Sequence, residues 1–182
     1  MSPVSLQTPN RARLSAALCL ALALCAAPAQ GASCADRLEE LSLAADMALA
    51  ARDASITSRR QAQDFKNALL RSGTADYERM AARLAERGPE YAAQIEGLRA
   101  LAGKSGRHGD VVATLAAERE KMSTRYRAAL ASLDAGDRAS VFRADEMAKG
   151  IDVPTFRQLE ALVEASTRDL ALARKDAAEA CR

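Results

Sequence analysis

An all-α fold is what this sequence predicts, and three observations carry the prediction. Ala, Leu, Arg and Glu dominate its 182 residues, while aromatics number only three Phe and three Tyr with no Trp. Those are helix formers, and no run of β-branched residues is long enough to build a strand. Glycine and proline gather at a few sites that divide the chain into long unbroken stretches. Apolar residues within those stretches recur at three- and four-residue spacings, the period of a helix with one inward face.

The first 29 residues read as a secretory signal. Arg11 and Arg13 give a positive start, Leu14 to Ala27 is an uncharged run, and Ala27-Pro28-Ala29 is a small-x-small cleavage site. The run is shorter than the roughly 20 apolar residues that a membrane helix needs. The domain reading is therefore a signal peptide at 1–29 and one helical domain at 30–182, located in the periplasm. Formal net charge is +2, and the signal accounts for it with two arginines and no acid. A near-neutral remainder gives no reason to invoke nucleic acid or an anionic membrane.

The first predicted helix runs from about Ala35 to Arg71 without Pro or Gly. Gly73 suits the left-handed position past its end, and Thr74 is a cap for the next helix. The second helix, about Ala75 to Leu101, places Met80, Leu84, Tyr91, Ile95 and Leu98 inward. Gly88-Pro89 predicts a kink in it, because proline removes a backbone bond and collides with the carbonyl of Ala85. Glycines 103, 106 and 109 mark the next turn. The third helix then starts near a cap at Asp110 and runs to about Leu133 through Val112, Leu115, Met122, Tyr126 and Leu130. A short helix at about 139–149 precedes Gly150. Asp152 caps the last helix, Pro154 occupies its first turn, and Leu159, Leu162, Val163, Leu170 and Leu172 follow toward Cys181.

Four long helices with short turns predict an up-down-up-down bundle with a short extra helix between the third and fourth. Its first and last residues then share one end. Cys34 and Cys181, the two cysteines left after the signal, are predicted to form a structural disulfide there. Acylation of Cys34 is the alternative, although Gly31 stands where a lipoprotein signal carries a Leu-like residue.

Residues 61–73 read Gln-Ala-Gln-Asp-Phe-Lys-Asn-Ala-Leu-Leu-Arg-Ser-Gly. This resembles the Gln-Val-Gln-Glu-Trp-Lys-Asn-Val-Leu-Leu-Arg-Gly segment in the extracytoplasmic sensor region of bacterial methyl-accepting chemotaxis receptors. The resemblance extends to Thr74-Ala75-Asp76-Tyr77, to Met122, Tyr126, Ala129 and Leu130, and to Ala144-Asp145 with Lys149-Gly150-Ile151-Asp152 and Pro154-Thr155. Phe65 stands in place of the family's Trp, Ser72 is an insertion, and Val153 replaces an arginine. The family continues into a membrane helix and a cytoplasmic coiled coil where this sequence ends. The resemblance thus implies a sensor bundle detached from its transducer.

That resemblance supports a ligand site from Gln63, Asn67 and Arg71 on the first helix, Arg125 and Tyr126 on the third, and Asp152 before the fourth. The competing reading makes Gln63 and Asn67 interhelical hydrogen-bond partners that fix register. Catalysis has no support, since His108 is the only histidine and lies in a glycine-rich turn. No haem-attachment or metal motif occurs, so neither cofactor nor metal is predicted. The expected function is non-enzymatic binding of a small molecule or an envelope protein, with a weak homodimer at most. A structural or chaperone-like envelope protein is the alternative.

Overall fold

The computed structural model describes residues 32–134 and 136–182, so the predicted signal at 1–29 lies outside the described residues. Five helices make up this part: α1 (Cys34–Leu70), α2 (Tyr77–Ser105), α3 (Gly109–Ala131), α4 (Arg138–Ala148) and α5 (Val153–Ala180). No strand occurs among the described residues. Helix α1 packs along α2 and α5, α2 against α3, and α3 against α4 and α5. None of the described helices is long and apolar enough to cross a membrane.

Each long helix buries a row of residues three and four apart. On α1 the row is Met47, Ala51, Ala54, Ser58, Gln61, Phe65 and Ala68, so small side chains line most of it. Small residues let neighbouring helices approach closely, and Tyr91, Ile95, Leu98, Leu115, Met122, Leu159 and Leu162 supply the bulk. All five inward residues expected on α2 are buried, as are Val112, Leu115, Met122 and Tyr126 on α3. Leu130 is only half-buried, and Leu172 on α5 is 58% exposed.

Cross-links between helices fix the register. Cys34 and Cys181 form a disulfide with their Cα atoms 4.9 Å apart, joining the start of α1 to the end of α5. Arg59 pairs with Glu160 between the later part of α1 and the first turns of α5, and its guanidinium lies 5.1 Å from the Phe156 ring centre. Asp64, only 7% exposed, accepts from Arg87 Nε at 2.8 Å and ties α1 to α2. That bond is the main reason the Arg87 guanidinium is held above its ordinary range.

Three predicted caps act otherwise. Thr74 donates its hydroxyl to the Arg71 carbonyl at 2.8 Å, and Asp76 takes the position before α2 without a side-chain cap bond. Helix α3 begins one residue before Asp110, with His108 in the capping position and its side chain engaged elsewhere. Asp152 precedes α5 but makes no side-chain cap bond to it. Gly73 meets its expectation, with φ +77° in the turn after α1. Helix α2 runs on through Gly88-Pro89 as one element, and Arg119 Nη2 donates to the Gly88 carbonyl at 3.2 Å.

Candidate functional site

Successive residues on a helix are turned by about 100°. Residues 61, 65 and 68 of α1 face the core, so Gln63 and Asn67 fall on the opposite side. Gln63 is exposed, and its Nε2 donates to Asn67 Oδ1 at 3.3 Å along the same helix. The pair thus lies on the outer surface, neither lining an interior site nor bridging helices. Arg71 lies just past the end of α1, where its Nε is 3.6 Å from Asp76 and helps close the α1–α2 turn.

Tyr126 and Asp152 do come together. Tyr126 is 3% exposed, and its hydroxyl donates to Asp152 Oδ2 in a long 3.4 Å bond. The Tyr126 ring stacks on Phe65, with centres 4.1 Å apart and planes 7° from parallel. Burial, chiefly, and then the Asp152 carboxylate push the Tyr126 phenol far above its ordinary range. Arg125, one residue earlier and so turned off this face, lines an open trough with Met147 and Ile151 instead.

A cavity of about 160 Å³ opens beside this stack, lined also by Lys66, Asp145, Lys149 and Gly150. Gly150 adopts φ +69° between α4 and α5, a turn that lets Lys149 and Asp152 share the cavity. Lys149 is exposed and bonds Glu146 at 2.8 Å, and that bond is the main cause raising its ammonium above the ordinary range. Two ammonium groups and two carboxylates thus border an aromatic wall. This volume is below the roughly 300–1,000 Å³ typical of drug-sized ligands. Its rim carries both signs of charge.

Phe65, Lys66, Asp145 and Lys149, which line this cavity, all belong to the segments that carry the chemoreceptor resemblance. A second polar cluster had no signal in the sequence. His108, the only non-glycine residue with positive φ (+62°) among the described residues, places Nε2 2.9 Å from Asp169 Oδ2, while Arg107 reaches the other oxygen at 3.3 Å. These residues border a groove of about 420 Å³ floored by Leu43, Met47 and Ala173. Among the described residues, no group of three or more His, Cys, Asp or Glu is placed to hold a metal ion. No protein family, curated protein or solved structure matches the chain.

Proposed function

We propose that this chain is an exported, non-enzymatic helical module that binds a small zwitterionic molecule such as an amino acid, as a detached sensor-type bundle. The observation that carries the reading is the Phe65–Tyr126 stack bordered by Lys66, Lys149, Asp145 and Asp152 over a small cavity. Its lysines suit a ligand carboxylate, its aspartates a ligand ammonium, and the stacked rings an apolar body. Export is supported by the signal-like segment and by a Cys34–Cys181 bridge of the kind an oxidising compartment permits.

The architecture in this reading is an up-down-up-down arrangement of α1, α2, α3 and α5, with α2 bent at Pro89 and α4 as the extra helix. Its support is the paired register: 34 with 181 and 59 with 160 on α1 and α5, and 108 with 169 and 126 with 152 on α3 and its surroundings. Each pair of numbers rises on one helix as it falls on the other.

A thermal-shift screen of amino acids, organic acids and inorganic anions tests the function. A ligand at 100 times its Kd stabilises by about 2.7 kcal/mol, a shift of several degrees for a domain this size. Asp152→Asn and Lys149→Ala are expected to abolish that shift, whereas Asn67→Ala on the outer face is expected to leave it intact. A flat screen combined with suppression of client aggregation would favour the chaperone-like alternative.

A weak homodimer belongs to the same reading, supported by the outer face of α1. Leu38, Leu49, Ile56 and Leu70 are 51%, 61%, 41% and 79% exposed and fall in one row along the helix. Exposed Glu39, Asp46 and Asp53 flank the row on one side, and exposed Arg52, Arg59 and Lys66 on the other. Two copies paired in parallel about this row would set acidic flank against basic flank. Light scattering over a dilution series is expected to give monomer at low micromolar concentration and dimer above it. Ile56→Glu should remove the dimer.

A further inference from the structure

The groove bordered by His108 and Asp169 lies toward the same end of α1 and α5 as the Cys34–Cys181 bridge. Its walls come from the first half of α1, the second half of α5 and the turn between α2 and α3. At about 420 Å³ it falls within the range of sites for small organic ligands. His108 holds a backbone conformation that non-glycine residues rarely adopt, and its bond to Asp169 ties the α2–α3 turn to α5. That tie fixes one end of the groove.

The cross-links between helices place the charges along its length. The Cys34–Cys181 and Arg59–Glu160 pairs set Asp169 roughly level with Met47 of α1, and Asp176 roughly level with Glu40. The Asp64–Arg87 bond likewise sets Lys104 roughly level with Met47. The inner end therefore carries Lys104 and Arg107 against one carboxylate, Asp169, which Arg107 and His108 already engage. The outer end carries Arg37 against two, Glu40 and Asp176, and Arg37 bonds Glu40 at 2.6 Å. Among the described residues no salt bridge engages Lys104 or Asp176; Asp176 only adds to the field at Arg37, after Glu40. One end is thus basic and the other acidic, about 10 Å apart, since seven residues of α5 separate Asp169 from Asp176. Leu43 and Leu172, the latter 58% exposed, lie between them.

We propose that this groove binds a short peptide with free termini, about three residues long and apolar in the middle. Its carboxylate accepts from Lys104 at the inner end, and its ammonium donates to Asp176 at the outer end. The middle side chain covers Leu43 and Leu172. An extended tripeptide spans about 10 Å, which matches the separation of the charges. A single amino acid is too short to meet both ends, so the ligands differ from those proposed for the cavity beside Phe65. The Cys34–Cys181 bridge closes α1 on α5 just beyond the outer end and keeps the two walls together.

Isothermal titration of the full chain with Ala-Leu-Ala, its N-acetyl form and its C-terminal amide tests the proposal. The free peptide is expected to bind best and each blocked form about tenfold more weakly, since one charge-assisted bond is lost. Lys104→Ala should weaken the free peptide by the same factor and erase its advantage over the amide, while keeping its advantage over the acetylated form. Asp176→Asn should do the reverse. Both side chains are exposed, so neither substitution disturbs the core, and circular dichroism checks the fold. Asp152→Asn, in the cavity beside Phe65, should leave peptide binding unchanged. No binding of the free peptide, equal binding of all three forms, or penalties for blocking that neither Lys104→Ala nor Asp176→Asn removes would overturn the proposal. Binding abolished by Asp152→Asn would do so as well. The amino-acid thermal shift is a separate measurement, so none of these results decides zwitterion binding beside Phe65.

Discussion

Reducing the Cys34–Cys181 disulfide is expected to lower unfolding stability by about 5 kcal/mol, on the chain-entropy treatment of a crosslink. The bridge spans 147 positions and closes almost the whole helical domain into one loop. Domains of this size have only about 5–15 kcal/mol in total, so the loss is a large share. It should also be uneven. From Cys34 to Asp46 no residue of α1 is fully buried, and Ala177 is the one fully buried residue in the last three turns of α5. The apolar anchors begin further in, at Met47 on α1 and at Leu162 and Leu159 on α5. Without the bridge, few buried side chains hold the two ends together, and an exposed pair such as Arg37–Glu40 lies within α1 and adds little. Hydrogen exchange is therefore expected to speed first at the beginning of α1 and the end of α5, while amides around Phe65 and Tyr126 stay protected. Urea unfolding with and without reductant gives the size of the effect, and exchange gives its location. An unmoved midpoint would mean that side-chain packing alone holds the two ends together.

What the sequence disclosed depended on contrast between helix faces. On α2 the inward residues are large and the outward ones charged, so Met80, Leu84, Tyr91, Ile95 and Leu98 were all legible. On α1 the contrast is reversed. Its buried row is mostly Ala, Ser and Gln, whereas the larger aliphatics Leu49, Ile56 and Leu70 point outward. Size and hydropathy thus drew the inner face toward Gln63 and Asn67, when the three-four spacing of Met47, Ala51, Ala54, Ser58, Gln61 and Phe65 marks it. That spacing puts Phe65 on the inner face and leaves Gln63 outside. Caps were lost for a different reason. Asp152 can serve the backbone of α5 or the Tyr126 hydroxyl, and only packing of α3 against α5 decides for the latter. His108 and Asp169 lie 61 residues apart, and no local pattern announces their pairing.

Stability is expected to fall steeply above about pH 10, and the two fully buried tyrosines set the slope. Tyr91 is 0% and Tyr126 3% exposed. Burial is the first cause raising both phenols far above the ordinary value of 10.0, with the Asp152 carboxylate adding to the shift at Tyr126. A group whose folded pKa is raised contributes stability that is complete below its unfolded pKa and is lost as pH climbs toward the folded one. Below pH 10 both states hold the proton, and nothing changes with pH. Above it, the unfolded chain releases protons that the native state retains, at about 1.4 kcal/mol per pH unit for each tyrosine. Together they remove about 5 kcal/mol between pH 10 and 12, enough to unfold a domain of modest stability. Urea midpoints at pH 8, 10, 11 and 12 measure the slope. Tyr126→Phe retains the ring over Phe65 and should halve it, as should Tyr91→Phe, and the double variant should leave only the smaller part due to half-buried Tyr77, whose phenol burial also raises. Asp152→Asn should change little, because burial outweighs the carboxylate at Tyr126. Phenolate absorbance supplies the sharper check, since it should rise together with the loss of helix. If two phenolates instead formed near pH 10 while the helices persisted, water would have to reach Tyr91 or Tyr126 in the native state, and the stacked wall of the candidate site would be open to solvent.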